Sequence, residues 1–342
     1  MLKPANAFRR RALVVTWAPH SGRSDGLAQH LGTRNYLVHY LAFQRLWAAP
    51  LKYPLQAVTT LRVLWRERPA VVLVQNPPIV APLVVALYAR ATGAGFIVDT
   101  HSQALFVRRW RWTLPIQRWL SRRALATMVT NESNAAVIRR SRARVVIAVD
   151  PPVNTPPLGA REPSPQFNVV VVGSFGRDEP TSEVLQAARQ VPDVRFAITG
   201  NLADARPEWL KDAPPNVEFT GFVPREDYFS RIWNAGAIVG LSIDKDSVLR
   251  ASWEALDLGQ PLILSDWPIL RGYFPRGTVH VANTASAIAA GVREARAREH
   301  ELRKEMLALR EERRSAWVQT LQRLEEVIDA SPSARLVQGS RS

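Results

Sequence analysis

Short runs of wholly apolar, largely β-branched residues recur along this chain, each followed by a loop and then a longer stretch of helical spacing. Runs so short and so apolar suit strands buried on both faces, and strands that alternate with helices pair in parallel. Ala12 to Val15, Val71 to Val74 and Phe96 to Asp99 predict buried strands, with Thr127 to Thr130 and Val145 to Val149 as two more. Helical spacing falls between them at Asp25 to Leu31, Leu55 to Trp65 and Ala81 to Ala91. The predicted fold class is α/β with a doubly wound parallel sheet.

From Asp150 the chain turns Pro-dense through Pro163 and Pro165, which neither a helix nor a central strand tolerates. Residues 151–166 therefore read as a linker and hinge between a domain over 1–150 and a second over 167–330, the number of domains that 342 residues suggest. The second repeats the first pattern. Asn168 to Val172 predicts a strand, Thr181 to Gln190 a helix, and Val194 to Thr199, Val217 to Thr220, Ala237 to Leu241 and Pro261 to Leu264 further strands. Ala285 to Asp329 reads as two consecutive surface helices, the second carrying Trp317, because Arg and Glu fall too often at would-be coiled-coil core positions. Residues 331–342 read as a disordered tail.

The charge is more uneven than its total of +15 implies. Residues 1–150 hold 22 Lys and Arg against 5 Asp and Glu, a net of +17, while the rest hold 23 against 25. An Arg-rich composition would spread its surplus evenly, so the first half predicts an anionic partner. With no cysteine there is neither a disulfide framework nor a thiolate metal site, and no HExxH helix marks a zincin. Ile79 to Ala89, the longest apolar run, is broken by Pro82 and falls far short of the roughly 20 residues that span a bilayer. Arg9 to Arg11 before Ala12 imitate a signal peptide, but the apolar stretch is too short and lacks a cleavage site. The expected localisation is cytoplasmic.

Gly173-Ser174-Phe175-Gly176 stands between a strand and a helix, where backbone N–H groups hold phosphate in doubly wound folds. A tight strand-to-helix turn accounts for it equally well. Arg177 could supply charge for a diphosphate. Asp244-Lys245-Asp246 spells a DxD, which elsewhere holds a metal against a sugar nucleotide; a solvated acidic loop is the ordinary reading here. The more telling spacing runs from Asp246 over seven residues to Glu254, then through Gly259-Gln260-Pro261-Leu262-Ile263 into a strand.

That order of strand, acid, seven residues, Glu at a helix start and G-x-P-x-I resembles the donor site of the GT-B glycosyltransferases, especially glycosyltransferase family 4. Asn216 to Pro224, with Phe222, resembles the family's strand and loop beside the nucleotide base, and the helix with Trp317 resembles the one that crosses back onto the first domain. Val74 to Pro78 and Ile97 to Ser102 resemble the β-mannosyltransferases that extend chitobiosyl-diphosphodolichol and their bacterial relatives. The resemblance implies two Rossmann-like domains with the donor in the cleft between them. It places Glu254 on the ribose, Asp246 near the transferred sugar, and Gly173, Ser174 and Arg177 on the diphosphate. His101 would contact the sugar or activate the acceptor hydroxyl, although a structural histidine fits that position too. His20, Ser21 and Arg23 would lie in the loop approaching donor and acceptor. The chain departs from the family where retaining members carry Arg and Lys: those positions hold Ser174 and Glu179, with Arg177 between. The stereochemical outcome stays open.

Leu105 to Trp112, with Arg108, Arg109, Trp110 and Trp112, continues to Trp119, Arg122 and Arg123 as the strongest basic and aromatic cluster; Phe43 to Lys52, with Arg45, Trp47 and Tyr53, is a second. Interleaved Arg and Trp suit an anionic membrane surface, a nucleic-acid surface or a solvated helix, and only the first two account for the charge. No RNA-binding signature is present, so nucleic acid is not expected. The sequence thus predicts a peripheral membrane hexosyltransferase, free of metal and cofactor, that moves a sugar from a UDP- or GDP-linked donor to a lipid-linked or surface-polysaccharide acceptor. A sugar-nucleotide epimerase or hydrolase on the same fold is the alternative, with a basic nucleic-acid-binding protein ranked last.

Overall fold

The computed structural model describes residues 12–41, 48–148, 150–153, 155–162, 164 and 166–331. Arg9 to Arg11, Phe43 to Trp47 with Arg45, Val149, Pro163, Pro165 and the tail from residue 332 lie outside the described residues. The chain separates into two compact units, Met1–Pro151 with Ser315–Ser342, and Pro152–Arg314.

In the first unit β1 (Ala12–Thr16) leads to α1 (Gly22–His30), β2 (Asn35–Leu37) to α2 (Ala49–Glu67), and β3 (Val71–Asn76) to α3 (Val80–Thr92). β4 (Gly95–Thr100) continues through α4 (Ser102–Phe106), a 3-10 turn (Arg108–Thr113) and α5 (Leu114–Arg123) to β5 (Ala126–Val129), α6 (Glu132–Arg139) and β6 (Val145–Ile147). The strands pair in parallel in the order β2-β1-β3-β4-β5-β6. Strand alternation divides the core between two faces. Val14, Leu73 and Ile97 stand opposite one another and bury one face beneath α1, while Leu13, Val72 and Val98 bury the other beneath α2 and α3.

The second unit runs β7 (Asn168–Val172), α7 (Thr181–Gln190), β8 (Arg195–Thr199), α8 (Pro207–Lys211), β9 (Val217–Gly221), α9 (Arg225–Asn234) and β10 (Ala237–Gly240). It closes with α10 (Arg250–Leu258), β11 (Leu262–Ser265), α11 (Pro268–Tyr273), β12 (Thr278–Val281), α12 (Ala285–Ala297) and α13 (Glu299–Asp329). Its parallel order is β12-β11-β10-β7-β8-β9, so the chain reverses direction across the sheet between β7 and β10. Loops leaving the carboxyl ends of such a strand pair splay apart and make the ligand crevice of open α/β sheets. Along α13, Leu302, Met306 and Leu309 are buried in the second unit, whereas Trp317, Leu321, Leu324 and Ile328 are buried with the first.

Several boundaries differ from the sequence expectation. β2 and β12 are additional strands, each short and at a sheet edge. α2 begins at Ala49 rather than Leu55, because Pro50 suits the first turn and Pro54 lies only one turn further on. Within the Pro-rich stretch Val153 and Leu158 pack on the second unit, and Trp233 donates its indole N–H to the Gly159 carbonyl at 3.2 Å. Ser331, expected to open the tail, is buried.

Candidate functional site

At the switch point of the second unit, β7 ends in the Gly173–Gly176 loop and β10 in the loop beginning at Ser242. The two are tied together. The Ile243 N–H donates to the Asp178 carbonyl at 2.7 Å and the Ser242 hydroxyl to the Asp178 carboxylate at 3.2 Å. Phe175 takes a left-handed φ of 56°, an arrangement that costs about 1 kcal/mol or more outside glycine. Its ring is buried beside Trp209 and Phe219 at 6.3 and 6.0 Å, which offsets that strain and pins the loop.

Ser174, one of the expected phosphate contacts, is already engaged. The Ser174 N–H donates to both oxygens of Glu179 at 2.9 Å and its hydroxyl to Oε1 at 2.8 Å. Arg177 is exposed, and no charged or hydrogen-bonding partner of its side chain is found among the described residues. Phe222 is 91% exposed just beyond β9.

Asp244 and Asp246 lie in the exposed loop after β10, where the Asp244 carboxylate accepts the Asp246 N–H at 3.0 Å. Such a local Asx turn is what a solvated acidic loop provides. Glu254 does not open a helix: α10 starts a turn earlier, at Arg250, because Leu249 is already extended at its N-cap. The Glu254 carboxylate is buried, accepting from the Tyr228 hydroxyl at 2.5 Å and from Arg250 Nε at 2.9 Å. Burial together with the adjoining Glu254 pushes the Tyr228 phenol well above its ordinary range, so it stays a proton donor.

In the first unit the structure brings His101 and Arg23 to one carboxylate. His101 caps the end of β4 and holds its N–H on the Asn76 carbonyl at 2.9 Å. Its Nε2 is buried 3.5 Å from Asp99 Oδ2 and makes no hydrogen bond among the described residues. Arg23 is not in the loop but in the first turn of α1, its guanidinium buried where it binds Asp99 at 3.0 and 3.2 Å, Asp150 at 2.6 Å and the Ala148 carbonyl at 3.2 Å. A cation just past β1, beside two strand-end acids, is satisfied more fully by them than by solvent. Burial alone would raise the Asp99 carboxyl; the Arg23 charge outweighs it, and with His101 holds Asp99 well below the usual carboxylate range. Ser21 is the N-cap of α1, accepting the Ser24 N–H at 3.3 Å, and His20 is exposed beside it.

The basic cluster is partly internal. Trp110 is buried, with Arg109 over its ring at 4.9 Å, because the 3-10 turn directs it inward; Trp112 is 68% exposed between exposed Arg108, Arg109 and Arg111. In the first turns of α2 Lys52 is buried over the Tyr53 ring at 5.5 Å, where burial first and the Arg109 charge second lower its pKa. The solvent face of α2 carries Leu51, Leu55, Val58 and Trp65. Between Gly26 and Asn131 the sequence has thirteen Lys and Arg and only two acids, Glu67 and Asp99. Sequence reasoning did not assign Asp99, Asp150, Tyr228 or Arg250. The only signal for Asp99 was its position two residues before His101 at a strand end.

Comparison with known proteins places these features in a recognised architecture. Residues 177–329 match the family model described as glycosyl transferase-like. No curated protein matches the chain by sequence. Among solved structures, sucrose-phosphate synthase from Thermosynechococcus elongatus superposes with a TM-score of 0.65 at 16% identity, over 94% of this chain and 100% of the other. A glycosyltransferase from Rickettsia africae gives 0.67 at 10% identity, over 94% and 98%. Anabaena HepE in complex with UDP gives 0.65 at 11%, over 94% and 100%. The fold is that of the GT-B glycosyltransferases, as expected.

Proposed function

We propose that this chain is a glycosyltransferase that moves a sugar from a nucleotide-sugar donor to a hydroxyl acceptor. One coincidence carries the reading: the segment matching the glycosyl transferase-like model, residues 177–329, begins at Arg177 beside the Gly173–Gly176 loop and includes β10 and its loop, the other side of the switch-point crevice of the second unit. The UDP and UDP-glucose complexes of HepE support a nucleotide sugar as donor; in this proposal it is UDP- or GDP-linked.

In this reading the acceptor hydroxyl attacks the anomeric carbon as the nucleoside diphosphate departs. Arg177, the exposed cation at the switch point, neutralises the leaving group together with the Gly173–Ser174 backbone. Phe222 and Glu254 lie on the side of the base and ribose, with the Glu254 carboxylate, already accepting from Tyr228 and Arg250, taking a ribose hydroxyl. Asp246 lies toward the transferred sugar. His101 takes the acceptor proton, and Asp99, kept anionic by Arg23, steadies the imidazolium that forms. His20 and Ser21 border the same strand ends on the acceptor side.

The acceptor in this proposal is lipid-linked, and the first unit lies on an anionic membrane surface. The +17 charge of residues 1–150, exposed Trp112 beside Arg108 and Arg109, and the apolar outer face of α2 support that surface over a nucleic acid, which has no use for exposed Leu and Val. Among the described residues no helix is long and apolar enough to cross a membrane. A thermal-shift panel of UDP, GDP, CMP, ADP and NAD tests the donor reading: stabilisation by UDP or GDP alone, lost in Glu254→Ala, supports it, and no stabilisation by any of them overturns it.

A further inference from the structure

The loop that the donor reading assigns to phosphate already carries an anion of its own. Glu179 takes the Ser174 N–H with both carboxylate oxygens and the Ser174 hydroxyl with one, at 2.8 to 2.9 Å. Gly173 admits it by having no side chain, since a Cβ there would lie 2.8 Å from Glu179 Oε2. A small pocket opens at this spot, bordered by Gly173, Phe175, Glu179 and Thr181.

The backbone around the contact is fixed on both sides. Phe175 is anchored by its buried ring, and Gly200, at φ 144°, lies so close that a Cβ would meet that ring at 2.7 Å and the Gly173 carbonyl at 3.0 Å. On the other side Asp178 is tied to Ser242 and Ile243. The movable part is therefore the Glu179 side chain, which has three torsions and one set of donors to leave.

We propose that Glu179 is the resident anion of this phosphate seat and gates it: a nucleoside diphosphate binds only as the carboxylate swings off Ser174. This rests on the donor reading of the crevice. One N–H and one hydroxyl cannot serve two anions, and a phosphate oxygen at Ser174 would stand against the carboxylate, like charge against like. The seat is competent only in the fraction of molecules with Glu179 displaced, and apparent affinity falls by that fraction. Selectivity follows. A bare phosphate gains too little to displace Glu179, whereas a nucleotide adds contacts through its ribose and base. Arg177, two residues before Glu179, is placed to pair with the incoming diphosphate.

Calorimetric titration of inorganic pyrophosphate, UDP and GDP into wild type, Glu179→Gln and Glu179→Ala tests the gate, with circular dichroism confirming the fold. Removing the charge is expected to tighten pyrophosphate binding about tenfold or more, and adding Arg177→Ala is expected to abolish that gain. Unchanged, weaker or absent pyrophosphate binding in both folded variants overturns the proposal. The nucleotide arm separates the two ideas. Tightened pyrophosphate with no UDP or GDP binding to any form keeps the gate and sinks the donor reading; UDP or GDP bound equally by all three forms, with pyrophosphate unchanged, does the reverse.

Discussion

Replacing Arg23 by Met isolates the electrostatics of the first unit. Asp99 is 3% exposed and loses both hydrogen bonds from the guanidinium, keeping only His101 at 3.5 Å. Asp150, with its side chain 30% exposed, loses one bond but retains access to water. Breaking a buried pair on one side costs about 3–5 kcal/mol, and Asp99 supplies most of that at neutral pH. The pH dependence has a definite sign. In wild type the depressed Asp99 gives stability that is full above the unfolded value near 4 and is lost only as pH falls through the lower folded value. In the variant burial is opposed by His101 alone and is expected to raise Asp99, so stability should now decrease as pH rises above about 4. Urea unfolding followed by circular dichroism should find the variant destabilised by about 3–5 kcal/mol at pH 7.5 and much less at pH 4.5. Arg23→Met with Asp99→Asn should recover more than half the loss. Equal destabilisation at both pH values, or no rescue, would refute the reasoning.

Burial pushes the Asp257 carboxyl up to about 6, although it accepts the Val153 N–H at 2.6 Å and faces Arg314 at 3.9 Å. A raised carboxyl makes stability fall as pH climbs from about 4 to 6, so Asp257→Asn should flatten that part of a melting-temperature profile. Trp317→Ala removes a side chain 2% exposed and edge-on to His30 at 5.4 Å, and should cost about 3–5 kcal/mol in urea unfolding. Replacing Leu55 and Val58 by Asp, on the exposed face of α2, should abolish sedimentation with anionic vesicles while leaving the melting temperature within a few degrees. Salt-sensitive binding to RNA with no vesicle binding would instead favour a nucleic-acid surface.

The central strands were legible because both faces are buried: Asn168–Val172 and Thr181–Gln190 fall where the apolar run and the helical spacing place them. β2 and β12 were not. Each lies at a sheet edge and spans three or four residues, with partial burial that leaves Asn35 and His280 in a strand. Site residues were legible by position but not by partner. Strand ends mark His101, Arg23 and the Gly173 loop, yet a long side chain chooses its partner in three dimensions. Nothing in the spacing says that Glu179 folds back onto Ser174, or that Tyr228 covers Glu254 from 26 positions away. Trp110 and Trp112, two residues apart, looked alike in sequence, and only the turn sends one inward.

The central claim is sugar transfer, and its most direct measurement is nucleoside diphosphate release from UDP- and GDP-sugars, with and without a polyprenyl-diphosphate-linked glycan acceptor in anionic vesicles. The account predicts release that requires the acceptor, matches the sugar gained by it, and falls by about 100-fold or more in His101→Ala. Release without acceptor, epimerised donor in place of transfer, or no turnover of any nucleotide sugar would contradict it.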